Sequence, residues 1–198
     1  MKQPRSVTGQ ITTEELLIIK REMLACLKSG IAGDVVELGC FEGGSAVFMQ
    51  SILVETQPDK KLWLYDSFEG LPEKTAEDKS PLGKEFIAGE LHASKARLER
   101  NFHKANVPLP EIRKAWFYEL QPHDLPEQLC FAFLDGDFYE SIMDSLALIW
   151  PKLNKGACVI IDDYQNPKLP GVQKAVDEWA KVHDFMLKVE KSLAIISV

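Results

Sequence analysis

Short apolar runs alternate with helical patterns along most of this chain, and that alternation limits the folds open to it. Asp34–Leu38, Lys61–Asp66, Ile112–Phe117, Cys130–Asp135 and Cys158–Asp162 read as strands. Ser45–Leu53, Glu90–Asn106, Tyr139–Leu153 and Val172–Val182 carry helical spacing. A further helix opens at Thr12, where Thr12 and Glu15 have capping-box spacing, runs through Leu16, Ile19, Met23 and Leu27, and stops at Gly30. Strands that are apolar without alternation are buried on both faces, as in a parallel sheet covered by helices. The pattern therefore predicts a doubly wound α/β fold. The last two runs, Phe185–Val189 and Ser192–Val198, have no helix between them and read as an antiparallel hairpin. The expectation is a single domain over residues 1–198, with a helical segment at 1–32 and a mostly parallel seven-stranded sheet.

Charge narrows the partners. Thirty acidic against 23 basic side chains give a net charge of −7, the wrong sign for a nucleic-acid surface or an anionic membrane. No apolar run approaches the ~18 residues of a membrane span. Met1–Gln10 lacks the pattern of a signal peptide. Cys26, Cys40, Cys130 and Cys158 are widely spaced and form no C-x-x-C pair, which fits reduced core thiols in a cytoplasmic protein.

The first strand runs into Glu37-Leu38-Gly39-Cys40-Phe41-Glu42-Gly43-Gly44-Ser45. Gly39 and Gly43 let a ligand approach the backbone, and the helix that follows at Ser45 offers its N-terminus. A dinucleotide fingerprint would have glycine where Phe41 stands, and that bulk obstructs a pyrophosphate. S-adenosylmethionine has an amino-acid end, a ribose and an adenine but no phosphate, so it fits this turn better. Asp66, followed by Ser67, closes the second strand, where doubly wound folds present a carboxylate to ribose hydroxyls. A plain strand-to-helix turn and a loop carboxylate are the bland readings of these features.

Carboxylates also end the next two strands. Asp135 closes the fourth, with Asp137 two residues on, and Asp162 and Asp163 close the fifth. Neighbouring strands lie about 4.8 Å apart, so these groups repel unless protonated or bridged. A divalent cation with oxygen ligands, Mg²⁺ or Ca²⁺, resolves the repulsion. The alternative is a set of helix N-caps. Ser67–Gly89 lacks periodicity, holds Gly70, Pro72, Pro81 and Gly83, and reads as a lid. His92 follows that lid and is, with Asp137, a candidate proton acceptor. Trp116 and Phe117 suit either an adenine face or the core.

These blocks together resemble one family. Glu37-Leu38-Gly39 with Gly43-Gly44-Ser45, Asp66-Ser67-Phe68-Glu69-Gly70-Leu71-Pro72, Leu134-Asp135-Gly136-Asp137-Phe138-Tyr139-Glu140-Ser141 and Ile160-Ile161-Asp162-Asp163-Tyr164 are similar to the macrocin O-methyltransferases. The resemblance implies a class I, Rossmann-like methyltransferase fold, S-adenosylmethionine, a divalent metal, and methyl transfer to a hydroxyl of a small molecule such as a sugar of a natural product. It places cofactor contacts at Glu37, Gly39 and Asp66, and metal ligands at Asp135, Asp162 and Asp163. Asp135 is then both ligand and orienter beside the cofactor. Little chain precedes the first helix, so elements that cover the substrate or build a homo-oligomer are expected to be reduced. Two rival readings are a non-catalytic cofactor-binding or scaffold protein and a nicotinamide oxidoreductase. The complete set of aspartates speaks against the first, and Phe41 against the second.

Overall fold

The computed structural model describes residues 9–198, so the first eight residues of the expected N-terminal helical segment lie outside it. Helix α1 (Thr13–Lys28) starts with the expected capping box: Glu15 N donates to Thr12 Oγ1, and Thr12 N donates to Glu15 Oε2. Then come β1 (Asp34–Leu38), α2 (Gly44–Thr56), β2 (Leu62–Asp66), α3 (Lys95–Ala105), β3 (Glu111–Lys114) and β4 (Leu129–Leu134). The chain ends with α4 (Tyr139–Ile149), β5 (Leu153–Ile161), α5 (Pro170–Trp179), β6 (Met186–Glu190) and β7 (Leu193–Ser197).

The sheet has the order β3-β2-β1-β4-β5-β7-β6. The first five strands are parallel, and β7 lies antiparallel between β5 and β6. Two apolar cores sandwich the sheet. One gathers Leu16, Met23, Met49, Leu98 and Phe102 from α1, α2 and α3. The other gathers Phe138, Ile142, Leu146, Val172 and Val176 from α4 and α5. The order reverses between β1 and β4, the point where sheets of this kind open a crevice beyond their strand ends.

Several boundaries differ from the sequence reading, and three have a clear local cause. The helix expected from Glu90 starts at Lys95, because Leu91 has φ +56 and Ser94 Oγ accepts from Arg97 N to cap the true start. Leu91 consequently packs on the opposite core from Leu98 and Phe102. The strand expected to reach Phe117 stops at Lys114, and Glu119 Oε2 accepts from Trp116 N to hold a 3-10 turn over Phe117–Glu119. The helix expected to reach Leu153 ends at Ile149 in another 3-10 turn at Pro151, which lacks an N–H. Strand β5 therefore begins at Leu153, and Gly156, at φ +87, lies inside it.

Candidate functional site

A cavity of ≈ 340 Å³ opens over the C-terminal ends of β1, β2, β4 and β5, within the usual range for a small-molecule pocket. Gly39 ends β1 at φ +92, and a Cβ there would stand 1.9 Å from the Asp135 carbonyl oxygen. Glycine is thus required for β1 and β4 to close at the reversal point. Phe41 follows at φ +45, unusual for a bulky side chain. Asp66 holds this conformation: its Oδ2 accepts from Cys40 N (2.9 Å) and Phe41 N (2.8 Å), and its Oδ1 from Phe68 N (2.7 Å). Two of its roughly four acceptor positions are taken by the turn and a third by the loop that follows Asp66.

Asp135, Asp137 and Asp163 each place a carboxylate oxygen within 4.8 Å of the others. Asp137 and Asp163 adopt left-handed backbone, φ +61 and +58. Asn166 Nδ2 donates to Asp163 Oδ1 (2.9 Å). Burial first, and then the facing carboxylates, push Asp135 and Asp137 well above the ordinary carboxyl range; burial also raises Asp163. Three crowded oxygen donors that resist sharing negative charge fit a hard divalent cation.

Asp162 lies beside that group in the same cavity. Its Oδ1 accepts from Asp163 N (2.8 Å) and lies 3.4 Å from Ser192 Oγ, which donates to Glu15 Oε1 (2.7 Å). Burial, with Asp163 next, pushes Asp162 up to about 8. Of the ligand set expected from the sequence, Asp135 and Asp163 belong to this group, and Asp162 lines the same cavity and acts on Asp135 more strongly than any other carboxylate.

Other expectations divide similarly. Gly39, Phe41, Asp66, Ser67 and Asp135 line the cavity. Glu37, Gly43 and Ser45 do not. Gly43 faces Leu98 and Phe102, where a Cβ would stand 3.3 Å from each side chain. Glu37 is fully buried behind the turn; Ser45 Oγ donates to its Oε1, and its Oε2 has no hydrogen-bond partner among the described residues. Burial, opposed by the Ser45 hydrogen bond, pushes Glu37 up to about 8. His92 is exposed and outside the cavity wall, so the proton-accepting role considered for it is withdrawn; the turn at Leu91 sends Leu91, not His92, inward. Ser141, Asp144 and Asn166 line the cavity unannounced by the sequence reading, and Glu15, read only as a cap, lines it too. The spacing of Ser141 and Asp144, one turn apart in a helix that follows Asp-Gly-Asp, was the available signal.

The segment read as a lid is docked. Leu71 N donates to Glu90 O (2.8 Å) and Gly89 N to Leu71 O (2.9 Å), which clamps its two ends together. Asp78, fully buried, accepts from Tyr139 N (2.7 Å) at the start of α4 and from Thr75 N (2.9 Å) within the loop. Leu71, Pro72 and Phe86 form the loop's share of the cavity wall.

Comparison with known proteins agrees with this architecture. The family model for macrocin-O-methyltransferase (TylF) matches residues 2–194. The chain is 33% identical over 168 residues to a mycinamicin III 3''-O-methyltransferase of Micromonospora griseorubida, covering 80% of this chain and 65% of that protein. It is 35% identical over 145 residues to 8-demethyl-8-(2,3-dimethoxy-alpha-L-rhamnosyl)-tetracenomycin-C 4'-O-methyltransferase of Streptomyces olivaceus, covering 70% of this chain and 55% of that one. The chain thus matches less than two thirds of the length of either relative. The solved structure of the O-methyltransferase NovP superposes with a TM-score of 0.80 at 27% identity, covering 94% of this chain and 80% of NovP. The calicheamicin methyltransferase CalS11, at a TM-score of 0.77 and 19% identity, covers 93% of this chain and 78% of its own, and shares the fold.

Proposed function

The chain belongs to the macrocin O-methyltransferase family, and we propose that it transfers a methyl group from S-adenosylmethionine to a hydroxyl of a small molecule, a sugar or sugar-bearing natural product, with a divalent cation assisting. The observation that carries this reading is the Asp135, Asp137 and Asp163 group, set in one cavity with the Gly39–Phe41 turn. When bound, S-adenosylmethionine supplies an activated methyl group, and Mg²⁺ or Ca²⁺ lowers the pKa of a hydroxyl it coordinates and fixes its position.

The protein's own residues do the rest. Gly39 lets the cofactor reach the backbone where β1 meets β4. Asp66 keeps Phe41 in place and retains acceptor capacity for a ribose hydroxyl. Ser67 offers a second polar contact from the wall. Asp135, Asp137 and Asp163 would hold the cation, with Asp162 beside them in the cavity and accepting from Asp163 N. Asp137, within this group, is the carboxylate proposed to receive the proton of the acceptor hydroxyl. The docked loop excludes water from the transfer. A cytoplasmic setting, which keeps the four buried cysteines reduced, belongs to the same proposal.

Calorimetric titration of the full chain with Mg²⁺ tests the cation site. The wild type is expected to bind saturably, and Asp135→Asn and Asp163→Asn to bind at least about tenfold more weakly. Equal affinity in wild type and both variants would refute the assignment.

A further inference from the structure

The cavity continues past Asp66 towards the end of β3, away from the three aspartates. Its wall there is built from two pieces that the sheet order brings together, the 3-10 turn after β3 and the first turns of α4. Phe117, Gly136 and Ser141 meet closely: a Cβ on Gly136 would stand 2.9 Å from the Ser141 Cβ and 3.4 Å from Phe117 Cε2. Trp116 and Tyr118 stack on each other beside them, with ring centroids 6.3 Å apart and planes at 13°. One turn along α4 from Ser141, Asp144 reaches the same wall. Its carboxylate is half-buried, and no hydrogen bond to it is found among the described residues. Glu140, one turn earlier on α4, lines the cavity as well, so this aromatic wall carries two carboxylates, of which Asp144 is the one a turn beyond Ser141.

We infer that Asp144 reads the purine edge of the cofactor, accepting a hydrogen bond from the exocyclic amine of adenine, while Phe117 supplies the apolar surface and Gly136 the clearance. This rests on the proposed cofactor. The direction follows from the order of groups along that molecule. The methyl end must lie by the cation-binding aspartates, and the ribose beside Asp66 at the end of β2. The base then extends beyond β2, towards the turn that follows β3. A carboxylate there favours an amine and disfavours a carbonyl, so Asp144 is a specificity-determining residue for adenine over hypoxanthine.

Equilibrium binding of two products separates the possibilities: S-adenosylhomocysteine and S-inosylhomocysteine, in which a carbonyl replaces the amine. The wild type is expected to prefer the adenine form by at least about tenfold, the scale of a hydrogen bond to a charged group. Asp144→Asn presents an amide that can accept or donate, and is expected to bring the ratio near one. The ratio is taken within each protein sample, so a partly folded variant does not distort it. Binding by the wild type with an unchanged ratio in Asp144→Asn overturns the role of Asp144 alone. Failure of the wild type to bind either product overturns the proposed cofactor and this inference with it.

Discussion

Gly39 and Glu37 sit two residues apart and act differently. A Cβ at Gly39 would overlap the Asp135 carbonyl oxygen on a backbone that alanine already disfavours. Gly39→Ala is therefore expected to cost more than about 2 kcal/mol in urea unfolding and to weaken S-adenosylmethionine binding. A variant as stable as the wild type would mean that the β1–β4 closure is looser than described. Glu37 makes a titration prediction. Its carboxyl is raised from 4.5 to about 8 in the folded chain. The folded state then binds the proton more tightly than the unfolded state, so the stability from this group is present in full at acidic pH. It is lost as pH rises through about 8. Glu37→Gln removes that loss. The stability difference between variant and wild type should shift in favour of the variant as pH rises from about 5 to 9, read from urea midpoints. A difference that stays flat with pH contradicts a protonated Glu37. At this level the sequence was partly legible. Carboxylates at neighbouring strand ends announce themselves, since unbridged they repel. How closely Asp137 approaches Asp135 and Asp163 depends on the fold of the loop, and spacing alone cannot show it.

The strands were readable because each is a buried apolar run, and a run such as Cys130-Phe131-Ala132-Phe133-Leu134 has no other place than the middle of a covered sheet. Helix ends were less so. Local captures decided them: Ser94 by Arg97 N, Trp116 by Glu119, and the missing N–H of Pro151. The shift of the α3 start by a few residues is what removed His92 from the site. The loop between Leu71 and Glu90 was visible as aperiodic, but its docking depends on Asp78, a side chain that nothing in the local sequence marks as buried. Asp78→Ala leaves Tyr139 N without its acceptor, an omission worth about 1–3 kcal/mol. Limited proteolysis should then cut within residues 73–88 of the variant well before the wild type, and cofactor should protect less. Equal cleavage rates would show that the loop is held by its other contacts.

The net charge of −7 takes on a location once the chain is folded. Asp66, Asp135, Asp137, Asp162 and Asp163 all stand at one end of the sheet, where Glu15 from α1 joins them. That concentration suits a cation and a positively charged sulfonium. The two sheet edges, β3 and β6, are exposed, and Met186, Leu187 and Val189 of β6 face outward. No helix among the described residues is long and apolar enough to cross a membrane. The account rests on one cavity serving both an S-adenosylmethionine turn and a cation-binding carboxylate group. Isothermal titration calorimetry of the full chain with S-adenosylmethionine, in EDTA and again in Mg²⁺, tests it most directly. Saturable binding at one site per chain in both conditions is predicted, because the turn at Gly39 and Asp66 forms without the cation. No binding in either condition would contradict the account.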